Sequence, residues 1–300
     1  MYFDIHAHMY KYPFAYTCEK ENGKNKYGLV FPTGEELTRV HDQMGIDRAV
    51  IVPLVNAEVY VPQSLGEVID FCNESDGRFL PFCNLDPRVL ENTSDCDLGH
   101  LMEFYKEQGC LGMGEVLPNM AFNDPKLQNL FKHCEQTGWP LLFDCSGQKD
   151  KGYGLWDDPG LPMLDASLSK FEDLIFIGHG PGFWSELGEL DPSVERWRYV
   201  TGPIEKEGAV VRLMRDHKNM WVDLSANSGY VAISRDLDFS RAFMNEFWDR
   251  IMYGTDVCYP TPPKYDMMGI IETFHNDGSL SDEKYEAITH KNAERLLGLK

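Results

Sequence analysis

Basic side chains are scarce in this 300-residue chain. Lysine and arginine number 28 against 48 aspartates and glutamates, which leaves a formal charge of −20 at pH 7. Such a charge repels phosphate backbones and anionic membrane surfaces, and no run of basic residues offsets it locally. We therefore expect neither nucleic acid nor a membrane as a partner.

Long apolar runs and paired cysteines are also missing. No stretch of about 18 apolar residues, and no basic start leading into an apolar segment, indicates membrane insertion or secretion, so we expect a cytoplasmic protein. The eight cysteines are scattered without a Cys-x-x-Cys pair. This spacing favours reduced thiols over a disulfide framework or a zinc ribbon.

The sequence does contain a regular alternation of short apolar strands and helices. The predicted strands are residues 1–8, 48–54, 78–83, 110–116, 140–144, 174–179, 220–225 and 250–256. Helical segments precede the last seven strands, at residues 34–45, 64–73, 98–108, 127–137, 161–170, 210–216 and 241–248.

Eight such units predict a parallel α/β sheet closed into a (β/α)8 TIM barrel, one domain over residues 1–300 with extended βα loops. An open, doubly wound sheet is the alternative. It calls for a glycine-rich phosphate loop after the first strand, and the sequence has none there. The segment from residue 9 to 33 is long and aromatic, and we expect either a roof over a pocket or an irregular surface loop.

Two histidines stand two residues apart at the end of the first strand. Side chains two apart on a strand share a face, so His6 and His8 could grip one divalent cation through neutral ring nitrogens. The pair alone is weak evidence, because a buried histidine is more often a hydrogen-bonded core residue.

The other strand ends strengthen the case. The active site of such a barrel lies at the C-terminal ends of the strands, and titratable residues stand there on five more strands: Glu115, Asp144, His179, Asp223 and Asp256. Converging carboxylates and imidazoles would leave buried charge uncompensated, whereas a divalent metal neutralises it. The pattern therefore predicts a metal centre.

Five short motifs, in order along the chain, resemble the amidohydrolase superfamily. They are Asp4-Ile5-His6-Ala7-His8, Gly114-Glu115-Val116, Ile177-Gly178-His179, Met252-Tyr253-Gly254-Thr255-Asp256 and residues 292–299. The resemblance is to the amidohydrolase-related branch, whose hydrolases and decarboxylases are similar to aminocarboxymuconate-semialdehyde decarboxylase. It spans nearly the whole chain and implies a metal-dependent enzyme.

Carried over position by position, the resemblance implies roles for individual residues. His6 and His8 would be metal ligands, and Asp256 would bind the metal and take a proton from its water. His179 would be a further ligand or a catalytic group beside the substrate. Glu115 lies in a stretch similar to the Gly-Glu-Ile of TatD-like hydrolases, where the glutamate is a ligand. We expect one ion, zinc before manganese or iron, with a second ion as an alternative.

Strand five departs from the family pattern. The family usually has a histidine ligand four residues after a proline, where this chain has Asp144 after Pro140. Asp144 is therefore an oxygen ligand, a substrate contact or a hydrogen-bonded barrel residue. Glu115 is a ligand or a group that orients the histidines. Asp223 is predicted to be structural, satisfying backbone amides at its strand end.

The leading functional interpretation is a hydrolase that uses a metal-activated water on a small amide, lactone or ester. Aromatic loops suggest an organic, cyclic substrate, and Trp184 and Tyr259, with Asp144, are predicted to contact it. A homodimer is the default oligomer.

Three alternatives remain open at this stage. The first is a non-oxidative decarboxylase, which an arginine in the pocket would favour. The candidate arginines are Arg88, Arg196, Arg198 and Arg212. The others are a TatD-like phosphoesterase, which the acidic balance disfavours, and a non-catalytic barrel that serves as a binding protein.

Overall fold

The computed structural model describes residues 1–12, 18–21, 24–27, 31–59, 62–146, 148–191 and 193–299. Part of the predicted aromatic roof over residues 9–33 therefore lies outside the described residues. Within that segment the backbone forms a short antiparallel hairpin of Cys18–Glu21 and Lys24–Tyr27, which the strand–helix alternation does not predict.

Eight parallel strands build the wall of the barrel. They are β1 Phe3–Ala7, β2 Arg48–Ile51, β3 Phe79–Pro81, β4 Met113–Val116, β5 Leu141–Asp144, β6 Phe176–His179, β7 Met220–Asp223 and β8 Ile251–Met252. Each lies within a segment predicted to be a strand, so the predicted (β/α)8 barrel is confirmed.

The wall consists of two sheets joined at two seams. Strands β1 to β3 pair in one sheet and β4 to β8 in the other. Bridges between Ala7 and Val257 and between Cys83 and Met113 join the sheets, and both bridges are parallel. The barrel therefore closes between β1 and β8 and between β3 and β4.

Helices surround the strands. They are α1 Gly34–Met44, α2 Leu65–Asn73, α3 Gly99–Glu107, α4 Pro125–Thr137, α5 Pro162–Lys170, α6 Pro181–Trp184, α7 Ala209–Asp216, α8 Ala226–Ser234, α9 Leu237–Phe247, α10 Met267–Asn276, α11 Asp282–Glu286 and α12 Asn292–Leu296. A 3₁₀ turn, Ser185–Leu187, follows α6, and a π-helical turn, Ala287–Lys291, precedes α12. Helices α6, α8, α10, α11 and α12 lie outside the predicted helical segments.

Local sequence explains the sharp ends of α1. The Thr33 hydroxyl accepts the backbone N–H of Glu36, and the Glu36 carboxylate accepts the backbone N–H of Thr33. Gly45 ends the helix in the left-handed conformation. This capping box and glycine stop fix the helix that packs behind β1 and β2.

An apolar plug fills the lower interior of the barrel. Inward residues from the strands form one cluster: Phe3, Ile5, Val50, Val52, Phe82, Leu142, Ile177, Trp221 and Met252. Alternate residues face outward beneath the helices, as Ala49, Ile51 and Ala7 do under α1. Inward-facing polar side chains of the described strands therefore meet at the other end of the barrel, where the strands have their C-terminal ends.

Strand β1 carries a bulge between Asp4 and Ala7, a stretch that includes His6. Asp4 pairs with Ala49 and Ala7 pairs with Ile51, so three steps on β1 match two on β2. The extra residue interrupts the alternation. Asp4 and Ala7 both face α1, whereas Ile5 joins the apolar plug and His6 turns into the barrel mouth.

Among the described residues, no helix combines the length and apolarity needed to cross a membrane. The seven cysteines whose side chains are described are free thiols, six of them buried.

Candidate metal centre

His6 and His8 are buried and point to one spot. Their Nε2 atoms lie 3.1 Å apart. His8 Nδ1 lies 2.8 Å from the carbonyl oxygen of Val52. Since a carbonyl only accepts, Nδ1 carries the proton and the Nε2 lone pair is directed at the spot. His6 Nδ1 lies 2.8 Å from Asp223 Oδ2. This contact orients the His6 ring so that its Nε2 also faces the spot.

Glu115 reaches this spot from a second bulge. Met113 pairs with Leu141 and Val116 with Phe143, so β4 also has one extra residue. Glu115 Oε2 lies 3.4 Å from His6 Nε2 and 3.5 Å from His8 Nε2.

The residue before Glu115 has to be small. A Cβ at Gly114 would lie 2.9 Å from the Leu142 Cβ and 3.1 Å from the Leu142 carbonyl oxygen. The 2.9 Å distance is shorter than real Cβ contacts and the 3.1 Å distance is tight, so the bulge favours glycine there. Asn84 Nδ2 secures the next position by donating to the Glu115 carbonyl at 2.6 Å.

Asp256 follows β8 and completes the group. Its Oδ1 lies 3.1 Å from His8 Nε2 and 3.7 Å from His6 Nε2. The backbone N–H of Asp256 donates to the His6 carbonyl at 2.7 Å, and the Cys258 thiol donates to Oδ1 at 3.2 Å. Asp256 adopts a left-handed φ of 50°, a conformation that costs energy for a non-glycine residue and occurs often at functional sites.

His179, at the end of β6, adjoins the group, with its ring centroid 4.6 Å from that of His6. Its Nε2 lies 3.8 Å from Glu115 Oε1 and 4.0 Å from Asp256 Oδ2. Its Nδ1 lies 3.2 Å from Asp223 Oδ2 and 3.1 Å from Ser225 Oγ. The structure therefore brings together all five residues for which the sequence predicts metal binding.

Asp223 does more than the sequence indicates. Its Oδ1 accepts the backbone N–H of Ser225 at 2.9 Å, in line with the predicted structural role. Its Oδ2 also meets both His6 Nδ1 and His179 Nδ1 and accepts the Ser225 hydroxyl at 2.6 Å. One carboxylate oxygen thus orients two imidazoles whose Nε2 atoms face the centre. Its strand-end position was the only signal of this role in the sequence.

The cluster is electrostatically coupled. Burial alone would lower the pKa of His6, but the charges of Glu115 and Asp256 outweigh burial and raise it well above its usual value. Burial alone would raise the pKa of Asp256, but the histidines, His6 first, bring it down to about 2. The pKa of Glu115 is lowered against burial for the same reason. The carboxylates are therefore ionised at neutral pH.

The donor set fits a divalent metal. Two groups of three share His6, namely His6, Glu115 and His179, and His6, His8 and Asp256, with the atoms of each group within 4.8 Å of one another. Ligand atoms about 2.0–2.2 Å from one ion lie about 3–3.5 Å apart, and the spacings around His6 and His8 fall close to that range. Nitrogen and carboxylate donors of this kind suit zinc, and also manganese or iron.

Asp144 lies beside the centre and belongs to neither group of three. Burial, followed by the charge of Glu115, raises its pKa to about 7. The Ser146 hydroxyl donates to its Oδ1. A Cβ at Gly180, next to His179, would lie 2.7 Å from the same Oδ1.

A cavity of about 720 Å³ opens above Asp256. Aromatic side chains among its lining residues are Phe31, Tyr153, Tyr199, Tyr259 and Tyr265. Tyr259, predicted to contact substrate, is 46% exposed in this wall. The volume suits a small organic molecule.

Trp184 lies elsewhere. Its side chain is 1% exposed, packs edge-on against Phe183 and Phe243, and donates from Nε1 to the Asp223 carbonyl at 3.2 Å. In place of the predicted substrate contact, the buried indole supports the strand that carries Asp223. The aromatic loops of the sequence suggested this contact, but residues 181–184 form α6, and the ring at its end packs in the core.

No arginine is among the described residues that line this cavity. The four candidates are paired elsewhere: Arg88 with Asp86 and Glu58, Arg196 with Glu186, Arg198 with Glu195, and Arg212 with Asp165. Lys264 is the one basic side chain in the described lining.

A (β/α)8 barrel with imidazoles and carboxylates converging at its strand ends defines a class of metal-dependent enzymes. The chain belongs to the amidohydrolase family, whose model, described as Amidohydrolase, matches residues 3–299. Its superfamily depends on divalent metals and contains hydrolases and decarboxylases. The chain is therefore an enzyme, and the alternative of a non-catalytic barrel is set aside.

Solved structures share the fold at low sequence identity. A zinc-bound amidohydrolase from Burkholderia multivorans is 14% identical, with 100% of each chain covered and a TM-score of 0.59. A probable 2-pyrone-4,6-dicarboxylic acid hydrolase from Acinetobacter baumannii is 14% identical, with 99% of each chain covered and a TM-score of 0.57. The 5-carboxyvanillate decarboxylase of Sphingomonas paucimobilis is 13% identical over 88% of this chain and 83% of its own, with a TM-score of 0.54. No curated protein matches the sequence.

Proposed function

We propose that this enzyme hydrolyses an amide, lactone or ester bond of a small organic molecule. The observation that carries the proposal is the placement of Asp256. Its Oδ1 lies 3.1 Å from His8 Nε2 on the ligand side, while the residue also lines the cavity. A carboxylate so placed can serve the metal and exchange a proton with a molecule in the cavity.

The residues fit defined roles in this reaction. His6, His8, Glu115 and Asp256 hold the metal, and zinc is the first ion to test. When bound there, a divalent ion supplies Lewis-acid polarisation of the scissile carbonyl and makes water more acidic. Asp256 accepts the proton of the attacking water and passes it to the leaving group. His179 stabilises the charge that develops on the carbonyl oxygen.

Hydrolysis is favoured over decarboxylation by the cavity walls. A decarboxylase must hold an anionic substrate next to carboxylates, which calls for a strong cation such as arginine. The described lining offers aromatic rings and no arginine. Such walls suit an uncharged cyclic lactone, amide or ester, with Tyr259 and Asp144 as contacts.

Decarboxylation is the second candidate because of Lys264. Its ammonium group at the cavity is able to hold one substrate carboxylate. The 5-carboxyvanillate decarboxylase, a protein with this fold, is named for that reaction. A TatD-like phosphoesterase fits less well, because the described lining offers a single lysine to an anionic phosphate ester and the chain is strongly acidic.

The test is turnover by zinc-loaded protein on a panel of cyclic lactones, amides, esters and carboxylated phenols. We expect release of the ring-opened or cleaved acid, and Lys264→Gln should leave turnover of uncharged substrates within about twofold. Release of carbon dioxide from a carboxylated phenol, with loss of that activity in Lys264→Gln, would replace hydrolysis by decarboxylation.

A further inference from the structure

Asp4 lies behind the metal centre, in the layer between β1 and α1. It is fully buried, and the hydrogen bonds and the ion pair described for its carboxylate involve none of the candidate ligand side chains. Its Oδ1 accepts the backbone N–H groups of His6 at 3.0 Å and of Thr255 at 2.8 Å. Its Oδ2 accepts the Thr255 hydroxyl at 2.5 Å and lies 3.2 Å from His41 Nε2 on α1.

The backbone groups that Asp4 binds belong to the two ligand segments. His6 is itself a candidate ligand, and Thr255 immediately precedes the candidate ligand Asp256. One oxygen of Asp4 therefore holds the start of both segments, one from each sheet. The Thr255 hydroxyl adds a second bond between the same two strands.

The bulge in β1 explains why a carboxylate is needed there. Where one strand carries an extra residue, a backbone N–H in the bulge loses its partner on the neighbouring strand. A buried N–H without a partner is destabilising. Asp4 supplies the acceptor for the His6 N–H, so the bulge that turns His6 inward is stabilised from outside the barrel.

Asp4 also acts at the seam where the two sheets close. The bridge between Ala7 and Val257 and the bond from the Asp256 N–H to the His6 carbonyl lie at this seam. Asp4 joins the same pair of strands one step below. The distance between His8 Nε2 and Asp256 Oδ1 thus depends on contacts that lie outside the site.

We propose that Asp4 is a positioning residue that sets metal affinity through the backbones of His6 and of Thr255, the residue before Asp256. This inference rests on the metal site of the proposed function and adds a residue outside that site. Because these bonds of Asp4 involve no candidate ligand side chain, its loss should weaken metal binding while leaving the ligand set complete. Changes to groups that orient metal ligands typically weaken binding about 10–100-fold.

The experiment measures zinc affinity by competition with a chromophoric chelator and the thermal unfolding midpoint of the apoprotein, in the full chain. The variants are Asp4→Ala, Asp4→Asn, Thr255→Val and Thr255→Ser. The matched control is Asn219→Ala. Asn219 is another buried polar hub, whose Nδ2 donates to the carbonyls of Leu168, Phe171 and Leu174 at the opposite end of the barrel.

We expect Asp4→Ala to weaken zinc binding about 10–100-fold and Asp4→Asn less, because an amide oxygen still accepts the two N–H groups. Thr255→Val should weaken binding about 3–10-fold and Thr255→Ser should restore it, since serine keeps the hydroxyl. Asn219→Ala should lower the unfolding midpoint and leave zinc affinity unchanged.

If Asp4→Ala does not fold, the Thr255→Val and Thr255→Ser pair carries the same test. Zinc affinity within twofold of wild type in all four variants, whatever their stability, would overturn the positioning role. A wild-type protein that binds no zinc would overturn both this inference and the proposed metal site. Unchanged affinity in the variants of a zinc-binding wild type would leave the proposed function intact.

Discussion

Strands β1 and β4 present their site residues on bulges, whereas β5 and β6 present theirs by regular alternation. Pairing of β5 with β6 runs without interruption up to Asp144 opposite His179. Two residues earlier on the same face, Leu142 and Ile177 fill the apolar plug. The regular strands therefore pass from plug to site by simple periodicity.

Each bulged strand contains one extra residue before its side chains reach the mouth of the barrel. His6 Nε2 and Glu115 Oε2, on the two bulged strands, lie 3.4 Å apart, while His179 Nε2 lies 3.8 Å from Glu115 Oε1. The closest ligand contacts thus come from the irregular strands and the loop after β8. On the regular strands, His179 lies farther from Glu115, and Asp144 belongs to neither group of three.

The largest expected effect is on metal content, which should differ between variants of the bulged strand β1 and of the regular strand β6. His6→Ala combined with His8→Ala should lose the roughly one equivalent of zinc that we expect in the wild type, because both lone pairs directed at the ion are gone. His179→Ala should keep most of the metal but lose turnover. Elemental analysis of protein purified without a histidine tag gives the answer.

His275→Ala combined with His290→Ala removes two histidines from outer helices and is the matched control for metal content. Equal loss of zinc from His179→Ala and from the His6 and His8 double variant would erase the distinction between bulged and regular strands.

Asp256→Asn tests the carboxylate that bridges ligand set and cavity. We expect a fall of about 10²–10⁴ in kcat/KM on a hydrolysed substrate, because an amide cannot accept the proton of water. Asp238→Asn, the same change at an exposed position on α9, should have no effect. Full activity in Asp256→Asn, measured with zinc in excess, would remove Asp256 from the proton path.

Gly114→Ala probes the β4 bulge directly. The added methyl would meet Leu142 at 2.9 Å, so we expect a loss of about 1–3 kcal/mol in the free energy of unfolding and weaker zinc binding as Glu115 moves. Gly66→Ala on α2, where a Cβ meets nothing closer than 3.5 Å, is the control. Chemical denaturation and chelator competition report both quantities, and unchanged zinc affinity would show that the bulge does not set the position of Glu115.

The last prediction concerns stability alone, at Asp144 on the regular strand β5. Burial raises its pKa to about 7 in the folded protein, above the value of about 3.9 in an unfolded chain. The protonated form is thus favoured by folding, and the apoprotein loses stability as pH rises from about 4 to about 7. Asp144→Asn cannot ionise and should keep that stability.

The advantage of Asp144→Asn over wild type should grow from near zero at pH 4 to on the order of 2 kcal/mol at pH 8. Urea unfolding of metal-free protein at several pH values measures it, with Asp238→Asn as the charge-matched control. Parallel stability curves for Asp144→Asn and wild type would contradict a buried, neutral Asp144.

Much of the fold follows from local pattern in the sequence. The apolar runs and helical periodicity locate all eight strands, because buried parallel strands are short and hydrophobic on both faces. The same pattern predicts His179 at the barrel mouth. The ends of α1 also follow from Thr33, Glu36 and Gly45.

What escapes the sequence depends on pairing between distant segments. Alternation alone would put Asp4 on the same face as His6 and His8, and the bulge that separates them exists only in the register with β2. The contacts by which Asp223 orients two histidines join residues as far as 217 positions apart in the sequence. Trp184 packs in the core because residues 181–184 form a short helix that the sequence pattern does not predict.

The two-sheet wall has a mechanical consequence. His6 and His8 belong to the sheet of β1 to β3, while Glu115, His179 and Asp256 belong to the strands of the other sheet or the loop after them. A metal ion bound by residues of both sets would hold the two sheets together at the seams. Removing the ion with a chelator would remove this link. The backbone N–H groups of Ile5 and Asp256 donate across one seam. Their amide hydrogen exchange should then be slower in the metal-loaded protein than in the apoprotein, because the barrel opens less often.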